Sequence, residues 1–91
     1  MTENIERILV LSTAHMSEEE SKLFEETQHM LIPAFKRDEG FIFHTSTVGI
    51  CYDKLSPGWA QIYQIATERN CAWIMFDRDA DVIDGIPTFD W

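Results

Sequence analysis

The sequence predicts a small α/β domain in which helices pack against one β-sheet. Three observations support this fold class: two short continuous apolar runs at residues 8–11 and 71–76, two segments with helical spacing of apolar residues between them, and an aromatic, β-branched segment at residues 41–50. Strands that alternate with helices are typical of a parallel or mixed sheet covered by helices. The predicted order is β-α-β-α-β with a C-terminal β-hairpin, and residues 1–91 have room for a single domain.

The first strand is predicted at residues 8–11, where Ile, Leu, Val and Leu follow one another. A continuous apolar run indicates a strand buried on both faces of a sheet. The first helix follows, with Ser17 at the N-cap and Glu20 at the spacing of a capping box. Its apolar stripe consists of Leu23, Phe24, Thr27, Met30 and Leu31. Pro33 disfavours helical geometry at the residue before it, so we expect the helix to end there.

The second strand is predicted at residues 41–50, because aromatic and β-branched side chains dominate this segment. Both of its faces mix apolar and polar residues, which indicates an edge or half-covered position in the sheet. The second helix is expected to begin with Ser56 at the N-cap and Pro57 in its first turn. Its apolar stripe consists of Trp59, Ile62, Tyr63 and Ala66. Asn70 can adopt the left-handed conformation that ends a helix.

The third strand is predicted at residues 71–76, a second continuous apolar run that indicates a central strand covered on both faces. After a polar turn, residues 82–83 are expected to pair back as a short hairpin strand. In the tail that follows, the rings of Phe89 and Trp91 are too apolar to be left in water. We expect them to pack on the body of the domain or on a second copy of the chain.

The composition is strongly acidic, with 16 Asp and Glu against 7 Lys and Arg and a formal net charge of −9. Direct binding to nucleic acid or to an anionic membrane is disfavoured, because both carry the same sign of charge. The excess is either a solvated surface or an acidic face that docks onto a basic protein, such as a nucleic-acid-binding protein. The candidate residues for this acidic docking face are Glu18, Glu19, Glu25, Glu26, Asp79, Asp81 and Asp84.

Nothing in the sequence is typical of a targeting or membrane segment. The N-terminal residues are charged, and the longest apolar runs are too short for a secretory signal or a bilayer span. Cys51 and Cys71 are isolated from one another and form no CxxC pair. Reduced, buried thiols in a cytoplasmic protein are the simplest interpretation.

A candidate polar site follows two of the predicted strands. Its residues are Ser12, Thr13 and His15 after the first strand and Asp77, Arg78 and Asp79 after the third. If these strands are parallel neighbours, the six side chains meet at the edge of the sheet where α/β proteins bind ligands. Hydroxyl, imidazole, carboxylate and guanidinium groups suit general acid–base chemistry or anion binding. The alternative is that these residues only shape turns and cap backbone groups.

Residues 77–81, Asp-Arg-Asp-Ala-Asp, match neither a calcium loop nor a complete phosphatase motif. An EF-hand loop counted from Asp77 needs Gly at position six and Glu at position twelve, where this chain has Val82 and Thr88. The apolar run followed by DxD also resembles the nucleophile motif of haloacid-dehalogenase-like phosphatases, but only residues 80–91 remain after it. The three histidines lie on three different predicted elements, so neither a metal nor a cofactor is expected.

Three short motifs carry a family resemblance. They are LVLSTAH at residues 9–15, FDRDA at residues 76–80 and IPTFDW at residues 86–91. Together they resemble a family of small uncharacterised bacterial proteins carried on plasmids, integrative elements and phages. The resemblance implies a mobile-element setting, in which small acidic proteins often bind and block host defence machinery. It implies no activity and no particular binding residues.

Three functions are consistent with these observations. The first is a non-enzymatic protein-binding module that antagonises host nucleic-acid-handling or defence machinery through the acidic docking face. The second is a small enzyme or ligand-binding domain that uses the candidate polar site. The third is a structural accessory subunit, which would show a broad apolar patch and no pocket. A homodimer is compatible with each of them.

Overall fold

In the computed structural model, which describes residues 4–26 and 35–90, four strands form a single mixed sheet. The strands are β1 (Arg7–Leu11), β2 (Phe35–Arg37), β3 (Gly40–His44) and β4 (Cys71–Asp77), in the order β1-β4-β3-β2. β1 runs parallel to β4, whereas β3 is antiparallel to both β4 and β2. The predicted class, a small α/β domain with helices on a sheet, is confirmed.

Among the residues that the structure describes, three α-helices connect the strands. They are α1 (Glu18–Glu26) after β1, and α2 (Thr45–Cys51) and α3 (Gly58–Glu68) between β3 and β4. Single 3-10 turns at Thr13–His15 and Tyr52–Lys54 precede α1 and α3. In the described part of the chain, no helix combines the length and the apolar character that crossing a bilayer requires.

The core lies between the helices and one face of the sheet, here called the covered face. The ring of Phe43 in β3 lies 5.3 Å from that of Trp59 in α3 and 5.7 Å from that of Phe76 in β4, both nearly perpendicular. The ring of Phe24 in α1 lies 5.0 Å from Phe43. Each such edge-to-face pair contributes roughly 0.5–1.5 kcal/mol beyond the burial of its area. This aromatic cluster therefore joins α1 and α3 to the middle of the sheet.

The opposite face of the sheet is not covered by any described element, which corrects the prediction that residues 8–11 and 71–76 are buried on both faces. Ile8 and Val10 of β1 are each 41% exposed, and Trp73 and Met75 of β4 are only half-buried. The reason is that the buried side chains of α1, α2 and α3 all belong to the core on the covered face. The two apolar runs thus form strands with one dry face and one exposed apolar face.

The predicted second strand, residues 41–50, is half strand and half helix. β3 ends at His44, and α2 follows immediately. His44 caps this helix, because its Nδ1 atom accepts a hydrogen bond from the backbone N–H of Ser46 at 3.2 Å. α2 buries Val48 completely and leaves Ile50 79% exposed, so a helical face meets the core. Capping and packing here outweigh the strand preference of the β-branched residues.

The capping box at the start of α1 is confirmed. The Ser17 N–H donates to Glu20 Oε1 at 3.0 Å, and the Glu20 N–H donates to Ser17 Oγ at 3.1 Å. The buried Glu20 carboxylate also accepts the backbone N–H and hydroxyl of Ser56, at 2.8 and 2.9 Å, and the indole N–H of Trp59 at 3.2 Å. Glu20 therefore joins α1 to the start of α3. The predicted continuation of α1 over residues 27–32 lies outside the described residues.

α3 begins at Gly58, one residue later than predicted: Pro57 rather than Ser56 is the N-cap residue, and the Ser56 hydroxyl donates to Glu20 instead of capping the helix. At its end, Asn70 has a φ of 58°, which confirms the left-handed conformation expected there. Gly58 is buried where the C-terminal segment crosses α3, and a Cβ atom at this position would lie 3.2 Å from Cγ2 of Ile86. This close approach favours a residue without a side chain, and it lets Ile86 close the core.

The C-terminal segment folds back after β4, which is roughly consistent with the predicted hairpin, and it crosses the end of β1. The backbone N–H of Ser12 donates to the carbonyl oxygen of Asp81 at 3.1 Å, and the N–H of Phe89 donates to that of Ala14 at 2.7 Å. Residues 82–83 make this return without forming a strand. Phe89 is half-buried on its own chain. The last residue, which was expected to pack with it, lies outside the described residues.

Both cysteines are free and buried, as the sequence predicted. Cys51 lies at the end of α2, and Cys71 begins β4. Burial, together with the nearby Asp53 carboxylate, raises the pKa of the Cys51 thiol above its usual value. A neutral thiol is a poor nucleophile, so a packing role suits Cys51.

Candidate functional site

The uncovered side of the sheet presents a continuous apolar surface. Its side chains, here called the open face, are those of Ile8, Val10, Phe35, Ile42, Trp73 and Met75. The register lays four of them in one row across all four strands: Phe35 lies beside Ile42, Ile42 beside Met75, and Met75 beside Val10. Because side chains alternate between the faces of a strand, this row is separated from the core by the backbone of the sheet.

Trp73 is held in a defined orientation in the neighbouring row. Its indole N–H donates to Glu6 Oε1 at 2.8 Å. The His44 ring meets it edge-on, with ring centroids 4.7 Å apart, and the Phe35 ring lies 6.4 Å away in the same manner. A depression of about 360 Å³ results, lined by Ile8, Phe35, Ile42 and Trp73. The open face thus has an aromatic wall and a shallow apolar floor.

The exposure of the open face is large for so small a domain. Phe35 is 61% exposed, and Ile8 and Val10 are 41% exposed. A face about five residues long, at ~3.3 Å per residue, and three strand spacings of ~4.8 Å wide has a projected area of roughly 250 Å². The largest apolar patch on an ordinary monomer covers about 300–600 Å² and is often functional, and the open face approaches that size. Covering this patch is therefore favourable by the hydrophobic effect.

One end of the open face carries a small network of paired charges. Arg37 lies 3.0 Å from Glu39 Oε1 through Nη2 and 3.6 Å from Asp77 Oδ2 through Nη1. The same Nη1 donates to Met75 Sδ at 2.7 Å. Half-exposed ion pairs of this kind contribute little to stability. Their effect is that the charge of Arg37, at this end of the open face, is neutralised locally.

The candidate polar site is brought together only in part. β1 and β4 are parallel neighbours, with Leu11 beside Phe76, so their carboxyl ends meet at one edge of the sheet. A pocket of about 290 Å³, here called the strand-end pocket, lies beyond this edge. It is lined by Ser12, Thr13, Ala14, Arg78 and Phe89. Three of the six residues singled out in the sequence therefore share one pocket.

The other three residues are engaged elsewhere. His15 is fully buried, and its ring nitrogens lie 2.9 Å from the carbonyl oxygen of Pro87 and 2.8 Å from the backbone nitrogen of Ile83. Asp77 belongs to the ion-pair network beside the open face, and its Oδ1 accepts the backbone N–H of Asp79 at 2.8 Å. These contacts are the turn-shaping and capping contacts of the alternative interpretation.

The candidate acidic docking face is also gathered in part. Glu18 and Glu19, in the first turn of α1, are exposed and line a shallow depression with Asp90 and Phe89. The exposed acidic residues that follow β4 are Asp79, Asp81 and Asp84. The side chains that lie outside the described part of the chain are those of Glu25 and Glu26. Asp90 joins this group, and the sequence reasoning had missed it.

The sequence reasoning also missed the open face. Four of its residues, Ile8, Val10, Trp73 and Met75, are alternate positions of runs that are apolar throughout, which is the pattern of a strand covered on both faces. The number of predicted helices could have indicated the open face. Two predicted helices, each about 10 Å across, cover only one face of a sheet whose strands lie ~4.8 Å apart. The predicted helices were therefore too few to cover the second face of the sheet.

Comparison with known proteins finds one family model, and its matched range covers both sites. A model of the C-terminal domain of a family of unknown function, DUF5983, matches residues 8–91. No curated protein and no solved structure matches the chain. The matched range includes the open face and the strand-end pocket in full.

Proposed function

We propose that this chain, which belongs to the DUF5983 family of unknown function, is a protein-binding module that docks through the open face. The observation that carries the proposal is the apolar row from Phe35 to Val10, which crosses all four strands without a covering element in the described ranges. A sheet with one face buried normally presents polar side chains on the other. An apolar second face is consistent with a surface that a partner covers.

The size of the open face indicates how a partner would bind. Its projected area is roughly 250 Å², about a third of the ~800 Å² that each partner buries in a stable interface. Trp73 and Phe35 are of the residue type that forms the centre of such interfaces. The remaining area has to come from the charged surface that surrounds the open face, here called the rim. The partner therefore contacts the charged surface beside the sheet as well as the apolar centre.

The charge of the rim favours a basic partner. The chain has a net charge of −9, and Glu6 and Glu39 lie beside the open face through their contacts with Trp73 and Arg37. A partner with an apolar patch flanked by Lys and Arg would match both features. Complementary rim charges act mainly on the association rate and on specificity. The acidic docking face would extend this match.

For the cellular role, we propose antagonism of a host nucleic-acid-handling or defence protein in the setting of a mobile genetic element. The acidic excess supports this role, because nucleic-acid-binding grooves are basic. The resemblance to small proteins of plasmids, integrative elements and phages supports the setting. In this proposal the acidic docking face occupies the basic groove and the open face supplies the apolar contact.

An enzymatic function at the strand-end pocket has less support from the geometry. His15, the strongest candidate for a general base, is fully buried and has both ring nitrogens engaged. The Oγ atom of Ser12 accepts the N–H of Ala14 at 3.0 Å, as a capping residue does. The accessible groups that remain in the pocket suit binding better than proton transfer.

The experiment compares two lysine substitutions that add the same charge. The chain is used to capture its partner from the native host, and the affinity of the purified pair is measured for Val10→Lys and for Ile50→Lys. Both side chains are exposed, but Ile50 lies on α2, away from the sheet face. We expect Val10→Lys to weaken binding at least tenfold, by about 1.4 kcal/mol or more, and Ile50→Lys to leave it unchanged. Equal affinities for the two variants would contradict the proposal.

Salt dependence tests the role of charge separately. Raising the ionic strength from ~0.1 to ~1 M shortens the Debye length from about 10 to 3 Å and screens exposed charge pairs. We expect binding to a basic partner to weaken steeply over this range. Binding that depends on Val10 but not on salt would support docking through the open face and would refute the proposal that the acidic docking face binds a basic partner.

A further inference from the structure

We infer that the strand-end pocket is a binding site for a small organic monocarboxylate, held by the guanidinium group of Arg78. The pocket lies beyond the carboxyl ends of β1 and β4, at the edge of the sheet rather than on its open face. In α/β proteins this is the place where ligands bind. The inference does not depend on the proposed docking function.

The walls of the pocket are fixed by backbone hydrogen bonds. The N–H of Arg78 donates to the carbonyl oxygen of Glu39 at 2.8 Å, and the N–H of Phe89 donates to that of Ala14 at 2.7 Å. On the β1 side, the N–H of Ser12 donates to the C-terminal segment at 3.1 Å. Three separate parts of the chain are thus tied together around the pocket. A pocket that is already formed costs little ordering when a ligand binds.

The Arg78 side chain is available to a ligand. It is exposed, and within residues 4–26 and 35–90 its guanidinium makes no ion pair or hydrogen bond. Arg37 and Lys22, by contrast, are paired with carboxylates. Arg7, Lys54 and Arg69 are likewise unpaired within the described residues, and Arg78 differs from them in that it lines the strand-end pocket. The Ser12 hydroxyl, whose oxygen accepts from Ala14, keeps its own proton for donation.

The surroundings select the class of anion. The planar fork of an Arg side chain matches a carboxylate with two parallel hydrogen bonds. Phe89 gives the pocket an apolar wall, which suits the carbon skeleton of an organic acid. On its other side the same Phe89 borders the depression that contains Glu18, Glu19 and Asp90. These carboxylates repel a dianion more strongly than a monoanion, so inorganic phosphate is disfavoured.

The size of the pocket limits the ligand further. A volume of about 290 Å³ lies at the small end of the range for ligand sites, which begins near 300 Å³. One carboxylate with a single ring or short chain fits that volume. Because one charged contact and one partial ring contact hold it, we expect a dissociation constant on the order of 1 mM.

The test is an NMR titration of the full chain with three probes: benzoate, acetate and inorganic phosphate. We expect benzoate to cause saturable shifts of the backbone amides of residues 12–14, 78 and 89, with acetate weaker and phosphate weakest. The variant Arg78→Gln should weaken benzoate binding at least about tenfold, since a charge-assisted pair is lost. Arg69→Gln, which removes an exposed Arg at the end of α3, is the matched control and should bind as the parent chain does.

Each other outcome would overturn the inference. Shifts that do not saturate by tens of millimolar would show that the pocket binds no carboxylate. Saturable shifts that give the same dissociation constant in Arg78→Gln as in the parent chain would show that Arg78 does not hold the ligand. Tighter binding of phosphate than of benzoate would show that the class of anion is wrong. The melting temperature of each variant without ligand, which should match that of the parent chain, separates loss of binding from loss of folding.

Discussion

The Nε2 atom of His15 accepts a hydrogen bond from the backbone N–H of Ile83 at 2.8 Å. Because Nε2 is the acceptor, the ring proton is on Nδ1, which donates to the carbonyl oxygen of Pro87 at 2.9 Å. One buried neutral imidazole thus holds two points of the C-terminal segment against the turn that follows β1. This segment also forms one wall of the strand-end pocket through Phe89, so His15 supports the pocket without lining it.

The first prediction concerns this imidazole. His15→Phe keeps a ring of similar size but leaves the Ile83 N–H and the Pro87 carbonyl without their partner. We expect a loss of about 2–4 kcal/mol in the free energy of unfolding, which lowers the melting temperature by roughly 10–20 °C in a domain of this size. Thermal unfolding followed by circular dichroism measures it. His44→Phe, which removes the cap of α2 and the contact of Nδ1 with the Ser46 hydroxyl at a cost of about 1 kcal/mol, is the control, and an equal or smaller loss for His15→Phe would contradict the assignment.

The second prediction concerns the buried carboxylate of Glu20. Replacing it with Ala leaves four donors from Ser17, Ser56 and Trp59 without an acceptor. We expect the free energy of unfolding to fall by at least about 3 kcal/mol, because hydrogen bonds to charged groups contribute most. Urea unfolding measures the loss. Glu19→Ala, one residue earlier and exposed, should change stability by no more than about 0.5 kcal/mol; similar losses in both variants would show that Glu20 does not join the two helices.

The third prediction concerns the ionisation and the reactivity of the Cys51 thiol. Its pKa is raised in the folded chain, chiefly by burial and then by Asp53. The folded state therefore favours the neutral thiol, and this contribution to stability is complete below the ordinary thiol pKa and is lost as the pH rises toward the folded-state pKa. At pH 8 we expect alkylation of Cys51, resolved by peptide mass spectrometry, to be at least about tenfold slower in the folded chain than in urea. Equal rates in the two conditions would show that the thiol is neither buried nor shifted.

Local sequence signals predicted several features correctly. Ser17 and Glu20 form the capping box that their spacing indicates, and Asn70 has the left-handed conformation expected at the end of α3. The parallel pairing of β1 and β4 brings Ser12 and Arg78 to one pocket, as expected for residues at adjacent strand ends. Each of these features depends on neighbours within a few residues or on one strand pairing.

The features that could not be predicted depend on contacts distant in the sequence. Residues 45–50 read as a strand because their β-branched side chains say nothing about the cap from His44 or the burial of Val48 under α3. The partners of Glu20 at Ser56 and Trp59 lie 36 and 39 residues away. In sequence, the strands that form the open face look the same as strands buried on both faces of a sheet. Only the positions of the helices distinguish the two.

The most direct test of the docking surface places a photo-crosslinking amino acid at Phe35 and, in a second variant, at Ile50. Both positions carry exposed apolar side chains, 61% and 79% exposed, but only Phe35 belongs to the open face. Each variant is expressed in the native host, irradiated, and examined for a crosslinked protein. We expect a discrete heterologous crosslink from position 35 and none from position 50. A crosslink from position 50 alone, or none from position 35 in a chain that folds and is expressed normally, would contradict it.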